Sequence, residues 1–359
     1  MSAAQATVVR PIRRAVPAGG MKRTMTVQEI EAACDAQQSL DFSRHMLAAP
    51  ELTRSATFYP FGFPAEIRTN SEMILEQFDL LWSMFEKRFD TKPIVTDVHV
   101  VATDSTECPP APAYRYLPKT LTAIADADNY CVADLAQGRT RMVVSTAALR
   151  YPLYLRQFFL ECAAGGHIAT NHVTPVHAGC VVLDGRGVLL CGDSGAGKSS
   201  LSYACARAGW GYVADDASFL LNGGSKRMVI GDCHKVRFRP SAAELFPEID
   251  GMEITPRAEG KPSIVVPTAT MVHVTRRESA HVDYVVFLNR HAAGPQQLLP
   301  YRKDVARHYM RQVLFGWPES LAAQYEAIDR LLAVDVFEMR YRCMDWAVDR
   351  LQQLVREGH

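Results

Sequence analysis

The stretch Gly192-Asp193-Ser194-Gly195-Ala196-Gly197-Lys198-Ser199 decides how this chain is read. It fits G-x-x-x-x-G-K-[ST], the loop whose backbone cradles phosphate groups. Glycines at 192, 195 and 197 permit the tight turning that points successive N–H groups at phosphate oxygens. Asp193, Ser194, Ala196 and Ser200 bring further donors along the same path. Lys198 is placed to bridge the outer phosphates and the Ser199 hydroxyl to ligate Mg²⁺. The flanks agree with this use. Gly187-Val188-Leu189-Leu190-Cys191 reads as a short buried strand. Residues 200–208 read as a helix that packs on a sheet, with Gly209 as a left-handed cap. That helix turns its positive end toward the anion. The plain alternative is a glycine-rich turn that holds nothing; strand, loop and helix in this order favour the phosphate cradle.

Around the loop lie 359 residues, enough for two domains. An apolar share of 48% and a charged share of 22% are those of a globular chain with a core of ordinary size. Lys plus Arg and Asp plus Glu both number 39, so no overall basic field argues for a nucleic-acid partner. The nine cysteines (34, 108, 131, 162, 180, 191, 205, 233 and 343) are odd in number and contain no C-x-x-C pair. They form neither a disulfide framework nor a zinc signature, and a reducing, cytoplasmic location is expected. No apolar run is long enough for a membrane span. The first 25 residues hold Arg10, Arg13, Arg14, Lys22 and Arg23 and no acid. Such a start can be a transit peptide; two prolines and a Gly-Gly make it read as a disordered tail.

Residues 26–168 read as an α+β domain without visible chemistry. Thr26 caps a helix over Val27–Leu40, with Glu29 placed for a capping box. Residues 71–90 read as a longer helix capped by Ser71, with Met73, Ile74, Phe78, Leu81, Met84 and Phe85 on one face. Residues 94–103 alternate as a strand, residues 142–144 form a short strand, and Leu149 to Ala164 reads as a helix. From 169 to 359 the chain reads as a second, α/β domain built on strands around the loop. The expected strands are His177–Leu183, Tyr212–Ala214, Val282–Leu288 and Val334–Tyr341, with a hairpin of 219–221 and 228–230. Asp184-Gly185-Arg186-Gly187 turns the first strand back into the loop strand. Helices are expected at 304–315, 319–332 and 344–356.

Three residues stand out near the loop. Asp215 and Asp216 end the Tyr212–Ala214 strand, where a metal-binding or base carboxylate sits in phosphoryl-transfer sites. Two adjacent acids in a turn are also an ordinary solvated loop. His177 opens the strand that hairpins into the loop strand, and a lone histidine is commonly structural. Arg237, Arg239 and Lys261 are candidates for clamping phosphate or an acceptor, and each is equally at home on a surface.

Val176-His177, the strand–turn–strand, Gly-Asp-Ser-Gly-Ala-Gly-Lys-Ser, a helix and Val213-Ala214-Asp215-Asp216 together resemble the catalytic core of HPr kinase/phosphorylase. The resemblance runs from 172 to 221 without gaps, and more weakly over 333–355. It implies a P-loop domain with a mixed sheet, related to phosphoenolpyruvate carboxykinase. It implies ATP and Mg²⁺ as cofactors and phosphoryl transfer to a hydroxyl acceptor, which is a protein, a peptide or a small molecule. Asp216 would then accept the hydroxyl proton and His177 would be the family's active-site histidine. Lys198 and the loop amides would hold the phosphates and Ser199 the metal. Asp215 would orient Asp216 or reach the metal through water. The resemblance leaves room for a homo-oligomer.

The chain departs from the family in two places. Ser200 stands where the family has Glu, and the family's Glu-Ile-Arg-Gly-Leu-Gly is replaced by Gly231-Asp232-Cys233-His234-Lys235-Val236-Arg237-Phe238-Arg239-Pro240. HPr recognition and the reverse reaction are therefore not implied. An ATP-binding sensor with little turnover is the alternative, and a nucleotide hydrolase a third reading. Retention of both His177 and Asp216 favours an enzyme.

Overall fold

A computed structural model describes residues 10–11, 26–38, 40, 51–117, 119–224, 226–255, 262–290 and 293–358. It divides into two compact units, Met1–Asn171 and His172–His359. Both are mixed α/β, with parallel and antiparallel strand pairs.

In the first unit, Ile94–Val101 alternates buried and half-buried side chains along its length. That period of two is what its sequence prescribes. It runs parallel to Ala65–Thr69 on one side and to Arg139–Ser145 on the other. Arg54–Phe58 extends the sheet antiparallel beyond Ala65–Thr69. Asn129–Asp134, Thr120–Asp126 and Ala113–Leu117 extend it antiparallel beyond Arg139–Ser145. Asn129–Asp134 is buried at five successive positions, so no alternation marks it in the sequence. Arg10–Pro11 pairs with Arg54 and Ser55; the rest of the expected tail, residues 1–25, lies outside the described residues.

The helices of this unit are shorter or more broken than periodicity predicts. Val27–Asp35 carries the expected capping box. Glu29 donates its N–H to Thr26 Oγ1 at 3.2 Å, and Thr26 donates its own to Glu29 Oε2 at 2.9 Å. It stops short of Leu40 because Gln37 adopts a left-handed φ of 52°. Glu72–Trp82 ends well before residue 90, and Met73 and Met84 are exposed. The chain leaves the helix so that Arg88 and Phe89 can donate their N–H groups to the Gly62 carbonyl. Phe85 and Phe89 then pack on Phe61 and Phe63. The expected 149–164 helix is a series: Thr146–Leu149, Pro152–Leu155, a wide turn at Arg156–Leu160, and Cys162–Asn171. Pro152 has no N–H to donate and so starts a segment instead of continuing one.

The second unit is organised by Ser279–Asn289. This strand runs parallel to Arg186–Cys191 and to Asp335–Arg340. Side chains of all three strands split between two cores. Leu189, Cys191, Val285, Phe287 and Val336 face one, against Ala306, Met310, Ala327, Ile328 and Leu331. Val188, Leu190, Val286, Leu288, Phe337 and Met339 face the other, against Leu201, Cys205, Ala347, Leu351 and Leu354. A parallel sheet buried on both faces reads as continuous apolar runs, which these strands are. Its covering helices are Lys303–Arg311 and Pro318–Leu331 on one side, and Lys198–Arg207 and Met344–Glu357 on the other. The 304–315 helix thus stops at Arg311.

Ala178–Leu183 pairs antiparallel with both Arg186–Cys191 and Gly211–Ala214. Val173–Val176 pairs instead with Ser218–Leu221, which hairpins to Met228–Gly231. His177 therefore does not open a strand. It lies between two strands that have different partners. A separate three-stranded sheet, Lys235–Phe238, Ser263–Pro267 and Ile254–Thr255, lies beside the Lys198–Arg207 helix through a core of Tyr203, Tyr212, Phe238 and Phe246.

Candidate functional site

The glycine loop joins Arg186–Cys191 to the Lys198–Arg207 helix. Gly192, Gly195 and Gly197 all have positive φ, at 145°, 95° and 99°. The loop is pinned by the Ala196 N–H to Asp193 carbonyl bond at 3.0 Å, and the helix opens with Leu201 donating to Gly197 at 2.8 Å. Asp193, Ser194 and Gly195 are exposed at its tip, while Ala196 anchors it in the core. Ser199 and Ser200 follow in the first helical turn, half-buried. A site at the C-terminal edge of parallel strands is the position at which open α/β sheets take ligands.

Lys198 is 5% exposed, and its ammonium is surrounded by acceptors. It lies 2.7 Å from the Gly192 carbonyl, 3.3 Å from that of Asp193 and 3.0 Å from His177 Nε2. Asp216 Oδ1 is a fourth partner at 3.2 Å. An ammonium has three protons and accepts none, so the four partners share them and His177 Nε2 must be the acceptor. The imidazole proton then resides on Nδ1, which faces Asp216 Oδ1 at 3.5 Å. His177, Lys198 and Asp216 thus form one closed triangle.

The topology explains the meeting. Asp215 and Asp216 lie between Gly211–Ala214, which pairs with Ala178–Leu183, and Ser218–Leu221, which pairs with Val173–Val176. His177 lies at the matching break in the facing chain. Both segments change partners at the same place, and Ser218 Oγ ties them by donating to the Ala178 carbonyl at 2.9 Å.

The two acids differ. The Asp216 side chain is 39% exposed and open to the site. Asp215 is 8% exposed and turned inward, with Oδ2 accepting the Arg237 N–H at 2.8 Å. Burial pushes the Asp215 carboxyl up to about 6; the Arg237 N–H opposes this and the Asp216 charge adds to it. Arg237 reaches this group through its backbone amide. Arg239, just past the same strand, donates from Nη2 to Ser194 Oγ at 2.6 Å and so meets the tip of the glycine loop. Lys261 lies outside the described residues.

Three neighbours escaped the sequence reading. Tyr309 packs edge-on against Phe287, and burial pushes its hydroxyl well above the usual range, helped by the nearby Cys191, Asp193 and Asp216. Tyr341 Oη donates to the Ala196 carbonyl at 3.0 Å. Arg290 brings its Cδ to within 3.2 Å of where a Cβ on Gly197 would stand. Arg290 and Tyr341 each directly follow a strand whose run was legible, which is the signal that marks them.

No family model matches the chain, and no curated protein sequence matches it. Among solved structures it is similar to the HPr(Ser) kinase/phosphatase from Coxiella burnetii, at 15% identity and a TM-score of 0.30. The match covers 52% of this chain and 99% of that one. A likeness at that score and identity leaves the function to be argued from this chain's own residues.

Proposed function

We propose that the second unit is a P-loop kinase domain. It transfers the γ-phosphate of ATP, with Mg²⁺, to a hydroxyl acceptor that is a protein or peptide serine or a small molecule. The observation that carries this is the triangle of Lys198, His177 and Asp216 at the base of the glycine loop. A phosphate cradle alone needs only the lysine. A carboxylate and a histidine closed onto that lysine supply what a proton-removing step requires.

The residues present fit the two cofactors. Three positive-φ glycines give the loop its concave backbone. Among the described residues no cluster of three or more His, Cys, Asp or Glu forms a metal cage. That suits Mg²⁺, which takes one or two protein oxygens and completes its shell with phosphates and water. Ser199 would hold the ion directly, and Asp215 would reach it through water. When bound, the metal neutralises phosphate charge.

Lys198 and the loop N–H groups hold the triphosphate and take up charge that builds on the transferring group. Asp216 Oδ accepts the acceptor's hydroxyl proton as its oxygen attacks. The Nδ1–H of His177 holds that carboxylate in place. Asp215, set behind and bonded to the Arg237 amide, fixes the turn that presents Asp216.

The test is ATP binding by calorimetry together with transfer of labelled phosphate to peptide and small-molecule hydroxyl pools. Lys198→Ala is expected to lose binding. Asp216→Asn is expected to bind ATP normally and to lose transfer by roughly 10²–10⁴-fold, the usual range for a general base. Full transfer by Asp216→Asn would refute the base. Binding by the wild type without transfer to any acceptor would favour a nucleotide sensor.

A further inference from the structure

We infer that the anion site of the glycine loop extends to Arg290, with Tyr341 as the positioning residue that seats the loop; this rests on the nucleotide-binding role proposed above. The strand register brings both residues there. Cys191 lies opposite Phe287, and Asn289 lies opposite Arg340. The glycine loop, Arg290 and Tyr341 therefore leave neighbouring parallel strands at one edge, and the Tyr341 N–H donates to the Asn289 carbonyl at 3.3 Å.

Tyr341 is 2% exposed, and its hydroxyl donates to the Ala196 carbonyl at 3.0 Å. A trans peptide points its C=O and N–H in opposite directions. Holding the Ala196 carbonyl against Tyr341 therefore turns the Gly197 N–H away from the tyrosine, toward the side where a phosphate oxygen is to be held. The fit is close. A Cβ on Gly197 would fall well inside van der Waals contact of Tyr341 Oη, while Tyr341 Cζ would stand at 3.7 Å. The Arg290 stem fills the other flank at 3.2 Å. Arg290 is half-buried, and among the described residues its guanidinium has no hydrogen-bond or ion-pair partner. Five N–H donors in a planar fork beside a phosphate cradle suit the paired oxygens of a polyphosphate. Arg239 at Ser194 then guards the tip of the loop and Arg290 its root.

The experiment measures Kd for Mg-ATP on the full-length chain, with the thermal midpoint taken without nucleotide. Arg290→Gln is expected to weaken ATP binding about tenfold or more, the loss of one charge-assisted contact, at an unchanged midpoint, and Arg290→Lys to recover part of it. Gly197→Ala is expected to lose binding, since φ there is left-handed and both flanks are filled, and Tyr341→Phe, which keeps the ring and removes only the hydroxyl on the Ala196 carbonyl, to weaken ATP binding roughly 2–10-fold. Equal ATP affinity in wild type and Arg290→Gln, or in wild type and Tyr341→Phe, overturns the inference while the kinase reading stands. Failure of the folded wild type to bind ATP overturns that reading and the inference with it.

Discussion

Replacing Asp215 by Asn tests the inward carboxyl with a defined sign. An Asn oxygen can accept the same Arg237 N–H at 2.8 Å, so shape and hydrogen bond stay and only the titrating charge is removed. In the unfolded chain the carboxyl ionises near its ordinary 3.8, and in the folded chain at about 6. Between these values the folded state holds a proton that the unfolded state has released, so stability falls as pH rises. The stability that Asp215 brings is complete below about 4, is lost as pH rises to about 6, and is flat above that. The gap corresponds to roughly 3 kcal/mol, as an order of magnitude, for a group with so little exposure. The assay is native-state hydrogen exchange of the 212–214 amides in metal-free buffer from pH 4 to pH 8, corrected for intrinsic rates. Following one strand isolates the second unit, which a whole-chain melt would mix with the first. Asp215→Asn should gain on the wild type through the window and hold that gain at neutral pH. A difference between the two proteins that does not change with pH would mean that Asp215 stays ionised in the fold, and would refute the reasoning.

His177→Gln removes the imidazole between Lys198 and Asp216; steady-state kinetics should show kcat falling by roughly 10–100-fold with the ATP Kd little changed, since proton transfer and not phosphate binding loses its support. Arg239→Gln cuts the link to Ser194 Oγ on an exposed side chain, so ATP affinity should fall by less than about tenfold, with a weaker salt dependence and an unchanged thermal midpoint. Thr26→Ala removes the acceptor for the Glu29 N–H; urea unfolding of the first unit should lose about 1 kcal/mol while ATP binding is untouched.

What the sequence discloses follows the range of the interactions. The glycine loop is legible because its chemistry is local: three residues with positive φ, a lysine and a serine within one turn. The Thr26–Glu29 box and the alternating Ile94–Val101 strand are legible for the same reason. Asn129–Asp134 is not, because burial on both faces erases the alternation. The end of the Glu72–Trp82 helix is not, because it depends on Gly62 and Phe63, some twenty residues earlier in the chain. The candidate site divides along the same line. His177 and Asp216 stand out only when their spacing from the loop is read as a set, and Arg290 and Tyr341 need the register of three parallel strands, set by pairings 51 and 95–96 residues apart along the chain. A residue that acts through a backbone carbonyl, as Tyr341 does on Ala196, leaves no mark in side-chain motifs. Part of a phosphate site is thus written outside its signature, at the ends of neighbouring strands, and a variant of the signature is best interpreted together with the residues that close those strands.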